Sequence, residues 1–554
     1  MKQNSDATAS SIKLAGFDQE ILSSLAGMVI DDHRNSLPDL SNVAILLPGL
    51  ECAPRLRRLL LDVARQEGSP ALLGPRIQTL HGWLARHFAT STPLHPRRRE
   101  LLLTEVLLEH PRLYGKGQPW TLTRELARLF DELTLYRVEL PEQYDRFHRL
   151  VVDGYQTAPE AVPDALSREA RLVHTLWRAW RDLLEAEGLV EPTTAYLKQL
   201  AECAGRPPPE ARVYLAGFYH ISPAEAAWLK AMLQTSRAIL LLQGNPAPAV
   251  ERGEQPDTVA TRIQRLTGVP LERTGSSGES PLGRYLDSVY QTEGAYLRER
   301  AQGFANRHPR DPLEGRLLLF KAHGRDREAR AVELQVRRWL LEGCEQIGIV
   351  TDNRRLARQV RSLLEQGGVA VEDSAGWALS TTSAAASLER WLQAVEQDFD
   401  QQPLLDLLKS PFLLADQPRE ERLSTVYRLE RDIVRNGNIA RGLPRYRQQL
   451  RFRQRSLPHW TGEAAREVEA LLDRLEEAAA PLLPLLQGRH PPRKMVGALE
   501  RSMELLGMEQ AMDGDAAGRC ILAELEQLGL AATDSGLLMS WREFRSWLGS
   551  TLEQ

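Results

Sequence analysis

Short apolar runs, each followed by a turn or a helix signal, constrain the fold of this chain most strongly. Five such runs occur, at residues 43–47, 212–218, 238–242, 317–322 and 346–351. Their length and composition are typical of strands that are buried on both faces of a parallel sheet. A long stretch with helical periodicity separates the first run from the second. Because isolated pairs of strands would not bury both faces, we expect the remote runs to join one sheet.

This alternation predicts an α/β protein with two units. We expect residues 1–95 and 205–310 to be the two parts of the first unit, interrupted by a helical insertion at 96–204. Residues 311–415 begin the second unit, and residues 416–554 form a helical region. In both helical segments, apolar side chains recur at spacings of three and four residues, as on the buried face of a helix.

The composition is that of a globular protein without a membrane, metal or disulfide signal. Of the 554 residues, 42% are apolar and 26% are charged, which is usual for a globular protein. The polar start MKQNSDATASSIK and the lack of a long apolar run give no membrane signal, so we expect a cytoplasmic protein. Cys52, Cys203, Cys344 and Cys520 form no CxxC pair and predict no metal centre or disulfide framework. The net charge of −4 requires any nucleic-acid contact to come from local basic patches.

The segment NVAILLPGLECAPRLRRLL, residues 42–60, has the strand–turn–helix order of a nucleotide-binding element. A helix N-terminus of this kind offers free backbone N–H groups to a phosphate. The segment nevertheless lacks the lysine and the second glycine of the Walker A pattern GxxxxGKS/T. The chain has one Gly-Lys pair, Gly115-Lys116, which is followed by Gly117 and is expected in a turn between helices. No Walker A loop is therefore predicted.

Several segments resemble, in order, parts of one family of DNA-processing proteins. They are VAILLPGLECAPRLRRLL (43–60), GPRIQTLHGWL (74–84), VYLAGFYHISPAEAAWLKAML (213–233), LLLFKAHGRDREARAVELQVRRWL (317–340), GIVTDNRRLARQVRSLLEQGGVAVEDSAG (348–376) and PLLDLLKSPFLL (403–414). Together they are similar to AddB-type proteins, the helicase-like, nuclease-bearing subunits of AddAB/RecBCD-type complexes that process DNA breaks. The resemblance covers most of residues 40–415 and is to the group described as inactivated superfamily I helicases.

The resemblance implies a fold of two RecA-like, P-loop NTPase-like domains with helical insertions. Residues 1–95 and 205–310 would form the first RecA-like domain, and 96–204 its 1B-like insertion. Residues 311–415 would be the first part of the second RecA-like domain, and 416–554 a truncated 2B-like region.

The same resemblance places the ATP site. The phosphate loop belongs around residues 12–27, where Gly16 and Gly27 occur without a Gly-Lys-Ser/Thr sequence. Ala216 stands at the Walker B position that relatives fill with aspartate. The site would then lack the lysine for the phosphates and the carboxylate for Mg²⁺. The sequence FDELT, residues 130–134, lies in a helical pattern and is expected to be a solvated helix face. We expect no catalytic residues and no ATP hydrolysis.

The nuclease half of the family is not expected in this chain. A PD-(D/E)xK site needs two carboxylates and a lysine around a metal ion, and no lysine here has Asp or Glu two positions before it. Relatives carry that nuclease, with the cysteines of an iron–sulfur cluster, far towards the C-terminus. We expect Mg²⁺ and an iron–sulfur cluster only with that region, and we interpret the chain as an N-terminal part of a longer protein.

An arginine-rich stretch at residues 435–460 is the main candidate for DNA contact. It holds seven arginines and three aromatic residues, and no acid lies between Asp432 and Glu463. Guanidinium groups contact phosphates and aromatic rings stack on bases. The predicted DNA-binding residues are Arg445, Tyr446, Arg447, Arg451, Phe452 and Arg453, together with Arg55, Arg57 and Arg58 after the first strand. As an alternative, the arginines of 435–460 pair with the acid-rich segment 463–478, and those after the first strand are simply solvated.

These observations predict a non-catalytic, helicase-like scaffold that acts in DNA double-strand-break processing and recombinational repair. Its expected partners are DNA, as single strands or duplex ends, and a helicase-nuclease subunit of the AddA/UvrD-like type, without a membrane. Two alternatives remain: a degenerate but active ATPase or DNA helicase, and a protein-interaction module without DNA affinity.

Overall fold

The computed structural model describes most of the chain, in two compact units. The described residues are 11–88, 92–111, 119–155, 163–206, 210, 212–235, 237–244, 259–273, 281–290, 296–310, 313–373, 376, 378–456, 460, 462–533 and 535–553. The first unit comprises residues 1–89 and 199–376, and the second comprises 90–198 and 377–554. Gly115-Lys116 lies outside the described residues.

A six-stranded parallel sheet forms the centre of the first unit. Its strands are β1 (Ile12–Ala15), β2 (Val43–Leu47), β3 (Arg76–Thr79), β4 (Arg212–Ala216), β5 (Ala238–Gln243) and β6 (Leu271–Arg273). They lie in the order β3-β2-β4-β5-β1-β6. Strands β2 and β4 are paired in parallel register, with Ile45 beside Tyr214. The prediction that residues 40–95 and 205–310 share one parallel sheet is confirmed.

Helices cover both faces of this sheet. The helices on these faces include α1 (Ile21–Asp32), α2 (Ala53–Gln66), α3 (Leu80–His87) and α9 (Pro223–Gln234), and the same unit also contains α10 (Val259–Thr267), α11 (Pro281–Tyr290) and α12 (Leu297–Arg307). Tyr214 and Ala216 of β4 pack in the cluster that contains the apolar side chains of α1 and α2. Leu215, which points to the other face, lies beside Leu80 of α3 and Trp228 of α9. The alternation along β4 explains why its sequence is apolar at almost every position.

Two further helices of the first unit, α13 (Arg325–Leu341) and α14 (Arg354–Gln366), pack against each other through Ala329, Val336 and Val360. The prediction of strands at 317–322 and 346–351 is wrong, because these residues have no regular secondary structure and belong to no sheet. A buried parallel strand needs hydrogen-bonded neighbours on its edges. Within the described residues neither segment has such a neighbour.

The second unit is helical. Its first helices are α4 (Pro96–Leu108), α5 (Pro119–Leu135), α6 (Tyr144–Gly154), α7 (Asp164–Ala186) and α8 (Pro192–Gly205), the last of which extends past the unit boundary. The later helices are α15 (Ser383–Glu396), α16 (Gln401–Leu408), α17 (Arg419–Arg428), α18 (Leu443–Ser456), α19 (Gly462–Ala479), α20 (Pro492–Leu505), α21 (Met508–Asp513), α22 (Ala516–Ala531) and α23 (Trp541–Leu552). A π-helical turn, Leu429–Arg435, continues α17. Two short antiparallel strands, β7 (Arg489–His490) and β8 (Met539–Ser540), pair with each other.

The predicted insertion and the C-terminal helices share one core in this unit. Arg97 of α4 forms an ion pair with Glu524 of α22 at 2.8 Å. The ring of Trp120 on α5 stacks on that of Trp547 on α23, with centroids 5.7 Å apart. The sequence alone assigned these segments to separate regions, because contacts between residues so far apart leave no local pattern.

Among the described residues, no helix combines the length and the apolar character needed to cross a membrane.

Candidate functional site

The carboxyl edge of the parallel sheet is the place where α/β proteins of this topology bind ligands. Strand β1 ends at Ala15 and helix α1 begins at Ile21, so the loop between them has five residues, 16–20. This is the loop that the resemblance assigns to the phosphates. The Walker A pattern is longer than the whole loop, and the loop contains no lysine, serine or threonine.

The loop's polar groups bond within the first unit. The backbone N–H of Gly16 donates to Oε1 of Gln19 at 3.3 Å, and the N–H of Gln19 donates to the carbonyl of Gly16 at 3.0 Å. From β5, Nε2 of Gln243 donates to the carbonyl of Gln19 at 2.8 Å. These bonds close a tight turn, whereas a phosphate-binding loop points its N–H groups at the ligand.

A carboxylate lies at the N-terminus of α1. Glu20 holds the N-cap position. Its Oε1 lies 2.6 Å from Nη2 of Arg55 on α2, and its Oε2 accepts a hydrogen bond from Oγ of Ser23 at 2.8 Å. The positive end of the helix dipole favours such an anionic group. Glu20 therefore supplies the negative charge that a phosphate would bring to this position, and it would repel a second anion.

The position that the resemblance assigns to the Walker B aspartate is also apolar. Ala216 is the last residue of β4 and is buried, between the neighbouring strands β2 and β5. It is followed by Gly217, whose positive φ of 80° turns the chain beside Pro48. A methyl group at this strand end cannot bind a metal ion. Among the described residues, no group of three or more His, Cys, Asp or Glu side chains is placed to hold one.

The FDELT segment lies within α5, as expected, but only part of it is solvated. Phe130 is fully buried. Asp131 accepts a hydrogen bond from Nη1 of Arg99 at 2.8 Å and another from Oγ1 of Thr193. These contacts link α5 to α4 and α8, and they give Asp131 a structural role.

Two residues of the arginine-rich candidate set, Tyr446 and Arg453, bond to other parts of the second unit. Tyr446 of α18 is fully buried, and its hydroxyl donates to the carbonyl of Phe399 at 2.9 Å. The prediction that Tyr446 binds DNA is wrong, because a ring inside the core cannot stack on a base. Burial also raises the pKa of its hydroxyl. Arg453 donates to the backbone carbonyls of Asp432 and Asn436, at 3.1 and 3.2 Å.

Arg447 pairs with acidic residues, as the alternative interpretation of residues 435–460 predicts. Its Nη2 lies 2.7 Å from Asp473 and 2.6 Å from Glu476, both on the acid-rich helix α19. The hydrogen bond to Glu476 is the main cause of a raised pKa for Arg447. Arg447 therefore joins two helices of the second unit, and these two carboxylates occupy its guanidinium.

The remaining candidates lie on one exposed face of α18. Arg445, Arg451 and Phe452 are exposed, with 58% of Phe452 accessible. Arg455 lies on the same face at helical spacing and is exposed as well. The candidate set omitted Arg455, although spacings of three and four residues from Arg451 and Phe452 already indicate it. We call Arg445, Arg451, Phe452 and Arg455 the α18 arginine face.

The second candidate group follows β2. Arg57 and Arg58 are exposed on α2, whereas Arg55 is half-buried and pairs with Glu20. The α2 group and the α18 arginine face belong to different compact units. DNA contact by either group stays a prediction.

Comparison with models of known protein families finds no match for this chain, and comparison with curated proteins finds none either.

Proposed function

We propose that this protein is a helicase-like scaffold without ATP turnover, of the AddB type, which binds DNA during the processing of double-strand breaks. The parallel sheet and the motif order in the sequence support the RecA-like assignment. The observation that carries the proposal is the five-residue loop between β1 and α1, with Glu20 at the start of the helix.

The chemistry of that loop argues against nucleotide turnover. Phosphoryl transfer depends on groups that position and neutralise the phosphates, and on a carboxylate that helps to hold Mg²⁺. The loop offers Glu20, an anion, in place of a lysine, and β4 ends in Ala216. Restoring one of the two groups leaves the other missing. The degenerate-ATPase alternative would therefore need a nucleotide site elsewhere.

The α18 arginine face supports a role in DNA binding. Three arginines and an aromatic ring share one solvent-exposed helix face, and the sequence between Asp432 and Glu463 contains no acid that could neutralise them locally. Such a face matches the non-specific recognition of a single strand, in which cations follow the phosphates and a ring stacks on a base. The protein would hold DNA for a motor subunit of the AddA/UvrD-like type.

A DNA-binding experiment tests this proposal. Fluorescence anisotropy with a labelled oligonucleotide should show binding to single strands of different sequence with similar affinity, weakening steeply as salt increases. At matched Mg²⁺ concentration and ionic strength, the affinity should be the same with and without ATP. Absence of binding at low salt would favour a protein-interaction module, and a shift of affinity caused by Mg·ATP would favour an active ATPase.

A further inference from the structure

Helices α18 and α19 pack against each other and carry opposite charge. Helix α18 contains five arginines and no acid, whereas α19 contains six acidic residues and two arginines. Val468 and Leu472 of α19 share one core cluster with Tyr446 and Leu450 of α18. All six acids of α19 are exposed, and we call them the α19 acids: Glu463, Glu467, Glu469, Asp473, Glu476 and Glu477. A basic surface therefore lies beside an acidic one.

The α18 arginine face is a single row of cations. Arg451 follows Arg445 by six residues and Arg455 follows Arg451 by four, so the three lie about 9 Å and then about 6 Å apart along the helix axis. The exposed ring of Phe452 lies within this row. Among the described residues, none of the three arginines forms an ion pair. One row of cations with one ring matches one phosphate backbone with a base stacked beside it.

Helix α19 borders this row on one side. Arg447 lies four residues before Arg451, which makes the two side chains neighbours on the surface of α18. Because Arg447 reaches Asp473 and Glu476, the edge of the arginine face at Arg451 adjoins α19. The axes of packed helices lie about 8–10 Å apart, which is close to the Debye length of about 8 Å at physiological salt. A phosphate above α19 would therefore interact with its carboxylates.

The α19 acids are only partly neutralised. Glu467 pairs with Arg428 at 2.6 Å, and Asp473 and Glu476 share Arg447. Three of the α19 acids form no ion pair within the part of the chain that the structure describes: Glu463, Glu469 and Glu477. The surface beside the α18 arginine face therefore keeps a negative charge.

We propose that the α18–α19 pair selects single-stranded over duplex DNA: the arginine face of α18 takes one strand, and the α19 acids exclude a second. The inference rests on the proposed function, because it concerns the same DNA site. It adds which form of DNA this site accepts and assigns a role to the acids that flank it.

The physical reason is the second backbone of a duplex. A duplex that lies along α18 has a backbone on each side of its groove, about 12 Å apart across the major groove. One of the two then passes over α19, where its phosphates meet carboxylates of the same sign within about a Debye length. A single strand follows α18 without crossing α19. Its bases are also free to stack on Phe452, whereas those inside a duplex are already stacked and paired.

A competition experiment with the whole chain tests the selection. Unlabelled single strands and blunt duplexes of the same length, about 20 nucleotides, would displace a labelled single strand in anisotropy titrations. We expect the single strand to bind at least about tenfold more tightly than the duplex.

A variant of α19 assigns the selection to its acids. Glu463→Gln, Glu469→Gln and Glu477→Gln together remove three negative charges and leave Arg447 with its two carboxylates. Duplex affinity should rise about tenfold, with a smaller rise for the single strand. The matched control neutralises three exposed acids in and just after α7 of the same unit, and it should keep the parent's ratio: Asp182→Asn, Glu185→Gln and Glu187→Gln.

Variants of Phe452 test the contact with the bases. Phe452→Ala should weaken single-strand binding about tenfold and leave duplex binding unchanged, whereas Phe452→Tyr, which keeps a ring, should retain the parent's affinity for both. Circular dichroism should show that all these variants melt at the parent's temperature.

The outcomes separate this inference from the proposed function. If the parent binds duplex as tightly as single strands, or if the α19 variant changes the ratio no more than its control, the selection is overturned and DNA binding stands. Binding of neither form at low salt would overturn both. A polyglutamate peptide that competes as well as the single strand would assign the arginine face to an acidic polypeptide and overturn both as well.

Discussion

Replacing Arg445, Arg451 and Arg455 with alanine removes the three cations of the α18 arginine face, none of which is buried. Each phosphate contact on a single strand contributes about 0.7 to the slope of log affinity against log salt. Three contacts therefore contribute about 2 to the slope. At about 0.1 M salt, this corresponds to roughly a 100-fold loss of affinity relative to the parent.

Anisotropy titrations over a series of salt concentrations would measure both quantities. A matched control replaces Arg493, Arg519 and Arg542, which are also exposed in the second unit and carry the same total charge. The control should keep the parent's slope, and both variants should unfold at the parent's temperature. If the α18 variant binds DNA with the parent's affinity and slope, the arginine face is not the DNA site.

Three further predictions concern single substitutions. Ala216→Asp should show no ATP hydrolysis in a phosphate-release assay, because the phosphate loop still lacks its lysine; measurable turnover would place the loop elsewhere. Tyr446→Phe, which removes the hydrogen bond to Phe399, should lower the free energy of unfolding by about 1 kcal/mol in denaturant titrations and leave DNA affinity unchanged. Glu430, whose pKa is lowered mainly by its hydrogen bond from Lys409, stabilises the fold above its unfolded pKa and loses this effect as pH falls through its folded pKa. Glu430→Gln should therefore lower the melting temperature at neutral pH, and the difference from the parent should shrink below about pH 4; a difference that stays constant with pH would contradict this.

The sequence predicted strands β2, β4 and β5 of the first sheet because their signals are local. Residues 43–47 and 238–242 are short apolar runs, and their burial on both faces follows from that pattern. Strands β1, β3 and β6 were not among the five predicted runs, since each has only three or four residues, and the sequence of β1, IKLA, is too polar to stand out. Its place in the sheet depends on pairing with β5, which is a tertiary contact.

The same local patterns predicted strands at 317–322 and 346–351, where no strand forms. Their sequences suit buried strands, but a strand forms only when a partner satisfies its backbone. Leu319 and Val350 are instead exposed, at 87% and 100%.

The sequence also could not show which residues of the arginine-rich stretch are available for DNA. Composition marks residues 435–460 as basic, but it cannot separate arginines that hold helices together from those that face solvent. The burial of Tyr446 and the ion pairs of Arg447 depend on how α18 packs on α19 and on the residues around Phe399. Helical spacing would have separated Arg451 and Arg455 from Arg453, since it puts them on opposite sides of the helix.

Isothermal titration of the protein with Mg·ATP tests the central claim most directly. With Glu20 at the N-terminus of α1 and a loop of five residues before it, the proposed scaffold should give no saturable heat up to millimolar nucleotide, corresponding to a binding free energy weaker than about −4 kcal/mol. A saturable isotherm with a dissociation constant in the micromolar range, about −8 kcal/mol, would contradict the proposal that this protein is a scaffold that works without nucleotide.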